Sequence, residues 1–380
     1  MVRFLHTADW QLGMPARFLG DEAAVRFAAA RLDAVRALGR VARERGCAFV
    51  LVCGDAFDSN LVGRRMVNQA ARALAEAPVP VYVLPGNHDA LDPSALYRRD
   101  EFLRSAPGHV HVLEAAGVVE ATPGTEIVAA PWRSRRPAED LAAAACRDLS
   151  PAPDGVVRIL AAHGAVDVFG MGGTISPSAV RLEALERRLA DGVIHFAALG
   201  DRHSVTRLGS TGRVWYSGTP EATDFDEQDS GKALVVEVDA GACHVDPVRI
   251  GRWRFLRERR DVTGAEGLDA LASWLAGLAD PGETVVRLEL TGTVDMGEHA
   301  RLMGLLQEWG DVLADLQRPD DDRDLAVLPT AEDFDRLRLG GFVAAAVREL
   351  RERAEGDGEA ARAAQDALKL AFRLGVTEAR

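Results

Sequence analysis

The chain has 380 residues, 47% of them hydrophobic and 27% charged, a globular composition that excludes a disordered or fibrous polymer. That length calls for two or three compact units. The formal net charge of −13 argues against a broadly basic clamp on nucleic acid, although bound metal ions can supply positive charge locally.

Cys47, Cys53, Cys146 and Cys243 are scattered, and without a Cys-x-x-Cys pair they support neither a zinc knuckle nor a disulfide framework. The first residues look like a strand rather than a leader peptide, and no apolar run approaches membrane-spanning length. A cytoplasmic protein with no membrane partner is the expectation.

In chain order, Phe4-Leu5-His6-Thr7-Ala8 reads as a buried strand running into Asp9. A helix is expected from Glu22 to Arg45, with an apolar side at Val25, Ala28, Leu32, Val35 and Leu38 and a stop at Gly46. A second strand, Ala48 to Gly54, ends at Asp55; a helix over Arg64 to Glu76 is closed by Pro78. A third strand, Val79 to Gly86, leads to Asn87-His88-Asp89. Strand, helix, strand, helix, strand is the doubly wound pattern.

Strands become denser after residue 105: His109–Leu113, Val118–Glu120, Glu126–Ala130, and Val157–Ala162 running into His163. His195 to Gly200 runs into Asp201-Arg202-His203, and Val214–Ser217, Ala233–Val238 and His244–Ile250 follow. A second sheet packed on the first is the simplest way to house them. Near residue 252 the pattern changes to helix Leu268–Leu278, strand Thr284–Leu290, helix Glu298–Trp309 and strand Val312–Leu316. An acidic loop from Arg318 to Asp324 comes next, then a helical stretch from Phe334 to Leu374 broken at Gly356-Asp357-Gly358. The expected domains are 1–252, 253–330 and 331–380.

Five apolar runs thus end in a residue able to bind metal. In open α/β sheets, sites gather where the carboxyl ends of the strands meet. Carboxylate, amide and imidazole donors arriving there suit hard or borderline divalent ions. Singly, Asp9 and Asp55 would read as helix N-caps and Asn87-His88-Asp89 as turn residues; five in order do not. His6 sits within a strand as a core histidine, while His109, His111, His195, His244 and His299 lack motif context. Trp10 is expected to pack at the site rim, and Arg133, Arg135 and Arg136 to form a solvated basic loop, with phosphate contact near the cleft as the lesser alternative.

Thr7-Ala8-Asp9-Trp10-Gln11-Leu12-Gly13, Gly54-Asp55-Ala56-Phe57-Asp58, Gly86-Asn87-His88-Asp89, His163-Gly164 and Gly200-Asp201-Arg202-His203 stand in the order of the calcineurin-like metallophosphoesterases. Within them the chain resembles the SbcD-type double-strand-break repair nucleases most, over most of its length. The resemblance implies an α/β metallophosphoesterase fold, a two-layer β-sandwich flanked by helices, with a small α+β cap and C-terminal helices. It implies two divalent ions, Mn²⁺ with Mg²⁺ as the alternative, bridged by Asp55. Asp9 and His203 would serve one ion, and Asn87, His163 and Asp201 the other. His88 would act on the leaving group, with Asp89 and Asp58 orienting it and the loop backbone.

Gln11 and Asp201 stand where that family usually carries histidines. Gln11 offers only a neutral amide oxygen, whereas Asp201 adds a negative charge that favours harder cations. Both keep a donor oxygen, which favours an altered site over a dead one. The partners so implied are DNA and an SbcC-like coiled-coil ATPase, for which the stripe Phe342, Val343, Ala346, Val347 and Leu350 is a candidate surface, with packing on the protein's own cap as the equal alternative; a homodimer is compatible with them. The rival readings are a phosphatase or cyclic-nucleotide phosphodiesterase on the same scaffold, and a catalytically weak DNA- or ATPase-binding subunit.

Overall fold

The computed structural model describes residues 1–169, 176–318, 324–327, 341–354 and 358–378, with the side chains of 369 and 372–378 not described. Most of the acidic loop (319–323), the start of the terminal helical stretch (334–340) and part of its Gly-Asp-Gly break lie outside the described residues. The chain divides into two units, Met1–Trp253 and Arg254–Arg380.

The first unit runs β1 (Val2–Thr7), α1 (Asp21–Glu44), β2 (Val50–Cys53), α2 (Arg64–Ala75), β3 (Val81–Leu84), α3 (Asp100–Ser105), β4 (Val110–Val112), β5 (Gly117–Thr122) and β6 (Thr125–Ala129). It continues through α4 (Leu141–Ala145), β7 (Val157–His163), α5 (Leu182–Ala190), β8 (Phe196–Gly200), β9 (Thr206–Leu208), β10 (Val214–Tyr216), β11 (Lys232–Val238) and β12 (Cys243–Arg249). Two six-stranded sheets result, ordered β12-β11-β1-β2-β3-β4 and β5-β6-β7-β8-β10-β9. The strands that end at candidate ligands, β1 with β2 and β3, and β7 with β8, are parallel neighbours, so their carboxyl ends emerge on one edge of each sheet.

One apolar cluster joins the sheets face to face, with Phe4, Phe49, Leu51 and Leu84 from the first and Ile127, Ile159, Phe196 and Ala198 from the second. At its centre Phe4 stacks on Phe49 at 5.2 Å and takes Phe196 edge-on at 5.8 Å. Helices α1 and α2 cover the outer face of the first sheet, and α4 and α5 that of the second, which completes the expected flanked sandwich.

The buried side of α1 differs from its expected stripe. Val25 and Ala28 are exposed, while Ala23, Phe27, Ala30 and Arg31 turn inward with Leu32, Val35 and Leu38. The reason is local packing, because Phe27 meets the buried Trp253 ring at 4.9 Å and rotates the first turns toward it.

The second unit carries β13 (Arg254–Asp261), α6 (Gly264–Ala276), β14 (Thr284–Val294), α7 (Met296–Val312), β15 (Asp315–Gln317), β16 (Leu325–Val327), α8 (Gly341–Ala354) and α9 (Glu359–Glu378). Val312, expected to open a strand, is instead the last residue of α7. That helix starts at a capping box, in which Asp295 and Glu298 bond each other's backbone N–H, and runs until Leu313 N–H reaches Trp309 O. Strand β13 is an addition to the expected elements, since Arg254-Phe255-Leu256-Arg257-Glu258-Arg259-Arg260-Asp261 is mostly charged; it forms by pairing in parallel with β14 along its full length. Among the described residues no helix is long and apolar enough to cross a membrane.

Candidate metal centre

Five non-glycine residues among those described have positive φ, and four of them are Asp9 (56°), Gln11 (51°), Asp55 (53°) and Asp201 (107°). Such backbone costs on the order of 1–3 kcal/mol per residue and persists only where the surroundings over-determine it. Here the surroundings are hydrogen bonds between the loops: Asp9 N–H to Gly54 O, Gln11 N–H to Asp55 O, Leu12 N–H to Ala56 O and Gly164 N–H to Gly200 O, each 3.0 Å. The strand ends are therefore stitched together before any side chain is counted.

Glycines then let the groups close in. A Cβ on Gly54 would lie 2.1 Å from His163 Nδ1, one on Gly86 2.2 Å from Asp55 Oδ1, and one on Gly200 1.9 Å from the Cys53 carbonyl oxygen. Gly200→Ala must push backbone against backbone, because the obstructing atom is a carbonyl at the end of a core strand. It is expected to cost about 3 kcal/mol or more, the upper end for overpacking, read as a fall in urea midpoint with an unchanged slope. A variant as stable as its parent would show that the β2 and β8 ends can separate.

Asp9, Asp55 and His163, all buried, offer donor atoms within 4.8 Å of one another. His163 Nε2 lies 3.4 Å from Asp55 Oδ2, 2.6 Å from Asn87 Oδ1 and 3.8 Å from Asp201 Oδ1. Its other nitrogen donates to Cys53 O at 2.9 Å, which leaves Nε2 as the lone-pair face toward the cluster. Asp201 N–H donates to both oxygens of Asp9, at 3.1 and 3.0 Å. The structure thus brings Asp9, Asp55, Asn87, His163 and Asp201 together.

His203 sits at the edge of this group, where Nδ1 meets Glu227 Oε1 at 2.8 Å and Thr223 Oγ1 at 3.0 Å. A carboxylate on one ring nitrogen fixes the tautomer that leaves the other free to ligate. Gln11 is buried, but its amide nitrogen, not its oxygen, turns to Asp55 Oδ2, at a long 3.5 Å.

His88 faces outward, its side chain 43% exposed, with Nδ1 donating to Asp58 O at 2.7 Å and Nε2 3.9 Å from Asp55 Oδ2. Its backbone N–H donates to Asp55 Oδ1 at 2.9 Å. Asp58 therefore orients His88 through its carbonyl. Asp89 is fully buried and accepts from Gly86 N–H at 2.7 Å, Phe57 N–H at 3.2 Å and Tyr97 Oη–H at 2.5 Å. Asp89 ties the β2 and β3 loops together rather than facing the cluster's open side.

Burial pushes the Asp9 carboxyl up to about 7; Asp55 and Asp201 add to the rise while His163 and His203 oppose it. Burial raises Asp201 as well. Burial also works against the charge on His203, but Glu227 and then Asp9 outweigh it and lift the ring to about 9. Asp55 is held below the usual carboxylate range, since His163 and His88 overcome its burial. Crowded buried carboxylates repel one another, and a divalent cation between them reverses that balance. The donor set, its charge and its glycine-cleared approach fit such an ion.

Several residues of the site went unforeseen. Glu227 follows Asp224-Phe225-Asp226 and reads as a solvated acidic loop, yet its side chain is 6% exposed. Trp132 donates its indole N–H to His163 O at 2.7 Å, and buried Arg31 reaches Gln11 O at 2.6 Å. Trp10 is buried, its indole N–H on Thr7 Oγ1, and so lies below the rim. His6 is a core histidine held near Leu199 O, with burial lowering its pKa to about 3. Its Nδ1 has no hydrogen-bond partner among the described residues.

The model of the calcineurin-like phosphoesterase family matches residues 2–236. Among solved structures the chain is similar to TT1561 of Thermus thermophilus, at 14% identity and a TM-score of 0.38, over 65% of this chain and 99% of that one. It is also similar to a dimetal phosphatase from Danio rerio, at 12% identity and a TM-score of 0.37, over 66% of this chain and 98% of that one. No curated protein matches.

Proposed function

The chain belongs to the calcineurin-like phosphoesterase family, and from that premise we propose a DNA phosphodiesterase of the SbcD type that works with two divalent ions, Mn²⁺ first among them. The observation that carries the metal chemistry is the buried Asp9, Asp55 and His163 cluster. Asp55 would be shared between the ions, with Asp9 and His203 on one side and Asn87, His163 and Asp201 on the other. Divalent ions held there supply positive charge to a phosphoryl group and lower the pKa of water. His88 Nε2, on the open side of Asp55, would deliver a proton to the leaving oxygen or balance charge on phosphorus.

The DNA assignment draws its support from the motif order and from the second unit. A small-substrate phosphatase or cyclic-nucleotide phosphodiesterase has no need of that α+β unit and its terminal helices. On α8, Val347 and Leu350 pack with Ala364 and Leu368 of α9, whereas Phe342 is 86% and Val343 47% exposed. That leaves apolar surface for a partner such as a coiled-coil ATPase. The binding-subunit alternative draws its support from Gln11 and Asp201, which stand where the family usually carries histidines; the Gln11 amide nitrogen faces Asp55 at 3.5 Å.

The test is cleavage of linear DNA in Mn²⁺, by the chain alone and with its ATPase, alongside two Asp201 variants. Asp201→Ala is expected to remove one ion and most cleavage. Asp201→His should retain cleavage with a changed metal preference, because it exchanges a hard anionic oxygen for a neutral nitrogen. Cleavage by Asp201→Ala at the parent rate would remove that carboxylate from the ligand set. A parent inert in every divalent metal would favour the binding subunit.

A further inference from the structure

Arg202 directly follows Asp201, yet nothing in the chemistry above uses it. Its guanidinium carbon lies 4.4 Å from the centroid of the Phe169 ring, and its Nε donates to Thr206 Oγ1 at 2.9 Å. Thr206 Oγ1 in turn donates to Ser204 O at 2.9 Å, which orients the acceptor. Phe169 is 37% exposed and is backed by the buried Tyr216 ring at 6.4 Å. Tyr216 is itself fixed, its hydroxyl donating to Gly164 O at 2.7 Å and accepting from Val166 N–H at 3.0 Å. The guanidinium is thus immobilised on one face and through Nε, across the loops that follow β7 and β8, the first starting just after His163 and the second holding His203.

Beyond the stacking and the Nε bond, the two Nη groups have no hydrogen-bond partner among the described residues. Arg202 is exposed and forms no ion pair among the described residues, in a chain whose net charge is −13. An arginine fork pre-set in its plane is suited to bidentate contact with phosphate oxygens at little entropic cost. Arg202 is exposed whereas Asp9, Asp55 and His163 are buried, and that difference decides which phosphate. The oxygens of a reacting phosphoryl group would be met inside, by the cluster around Asp55. A group engaged by Arg202 must therefore be a second anion of the same substrate, carried outside the centre.

The geometry points to Arg202, stacked on Phe169, as a subsite for the phosphate neighbouring the scissile one in a polynucleotide strand. This rests on the nuclease reading for the identity of the substrate but not for the contact, so the two can fail separately. A single-phosphate ester would have no group to place there. In an acidic protein, an exposed cation with no ion-pair partner among the described residues also offsets part of the repulsion a polyanion meets on approach.

The experiment is fluorescence anisotropy with a phosphorothioate oligo(dT) of roughly a dozen nucleotides in Mn²⁺, over a salt series, beside cleavage of the unmodified oligonucleotide. Arg202→Ala should weaken binding about tenfold and lower the slope of log affinity against log salt by about one, the loss of one phosphate contact. Arg202→Lys, which keeps the charge but not the fork, should restore the slope and only part of the affinity. Phe169→Leu, which removes the platform, should weaken binding with the slope kept. Parent-like affinity and slope in Arg202→Ala would overturn the subsite, as would a parent that fails to bind the oligonucleotide. Arg202-dependent binding without cleavage would uphold the subsite and sink the nuclease reading instead.

Discussion

Asp55→Ala is expected to abolish metal binding at both positions together and, with it, phosphodiester hydrolysis, a fall in kcat on the order of 10⁴ or more of the kind seen when an essential group is removed. The size of the effect follows from how many neighbours this one carboxylate serves. Its Oδ1 receives the His88 N–H at 2.9 Å, and its Oδ2 stands 3.4 Å from His163 Nε2 and 3.9 Å from His88 Nε2. It is also the member of the cluster whose pKa is held down rather than up. Among the three crowded aspartates, Asp55 is the one whose carboxyl is held below its ordinary value while burial raises the other two, which suits a group shared by two cations.

No other ligand change should remove two ions at once. Loss of Asp9 or Asp201 leaves Asp55 and one imidazole in place, so each should lower the stoichiometry by one. Metal analysis of Mn²⁺-loaded parent and variants reads this directly, with titration calorimetry for affinity. If Asp55→Ala kept one tightly bound ion, Asp55 would belong to a single site and the shared-carboxylate arrangement would be wrong.

Much of the centre was legible because each element ends in a run whose pattern is local. Buried parallel strands are continuous apolar stretches, and Asp9, Asp55, Asn87, His163 and Asp201 stand at or just beyond their ends. The partners that orient these groups were not legible, because their bonds span loops with no periodicity. Tyr97 bonds Asp89 from a loop beyond β3, Trp132 bonds His163 from beyond β6, and Glu227 reaches His203 from 24 residues away. Gln11 exposes a second limit: its residue type allows a ligand, but the sequence does not say which way its amide turns, and here the nitrogen is toward Asp55 while Arg31 holds the backbone carbonyl. The face of α1 and the strand β13 escaped for the reason that defeats periodicity in general, a tertiary partner overriding the local pattern. Trp253 draws Phe27 inward, and β14 recruits a mostly charged segment by pairing with its backbone along its full length.

His88→Ala is expected to lower kcat by roughly 10²–10⁴-fold, the range for removal of a general acid, with metal content unchanged. The backbone makes this a clean substitution. The His88 N–H that holds Asp55 Oδ1 survives in alanine, and Gly86 and Phe57 remain tied through Asp89, so the ligand loop keeps its shape. What is lost is an imidazole with one nitrogen committed to Asp58 O and the other 3.9 Å from Asp55 Oδ2. A ring held in that tautomer cannot turn its Nδ1 toward the ions without breaking a 2.7 Å hydrogen bond, which argues for a role toward substrate. The effect should fall on kcat with little change in KM, and shrink for esters whose leaving group is acidic enough to depart without a proton. An ester of 4-nitrophenol against a nucleotide ester supplies that comparison. Loss of an ion in His88→Ala would make it a ligand, and equal losses on both esters would make its contribution electrostatic rather than a proton transfer.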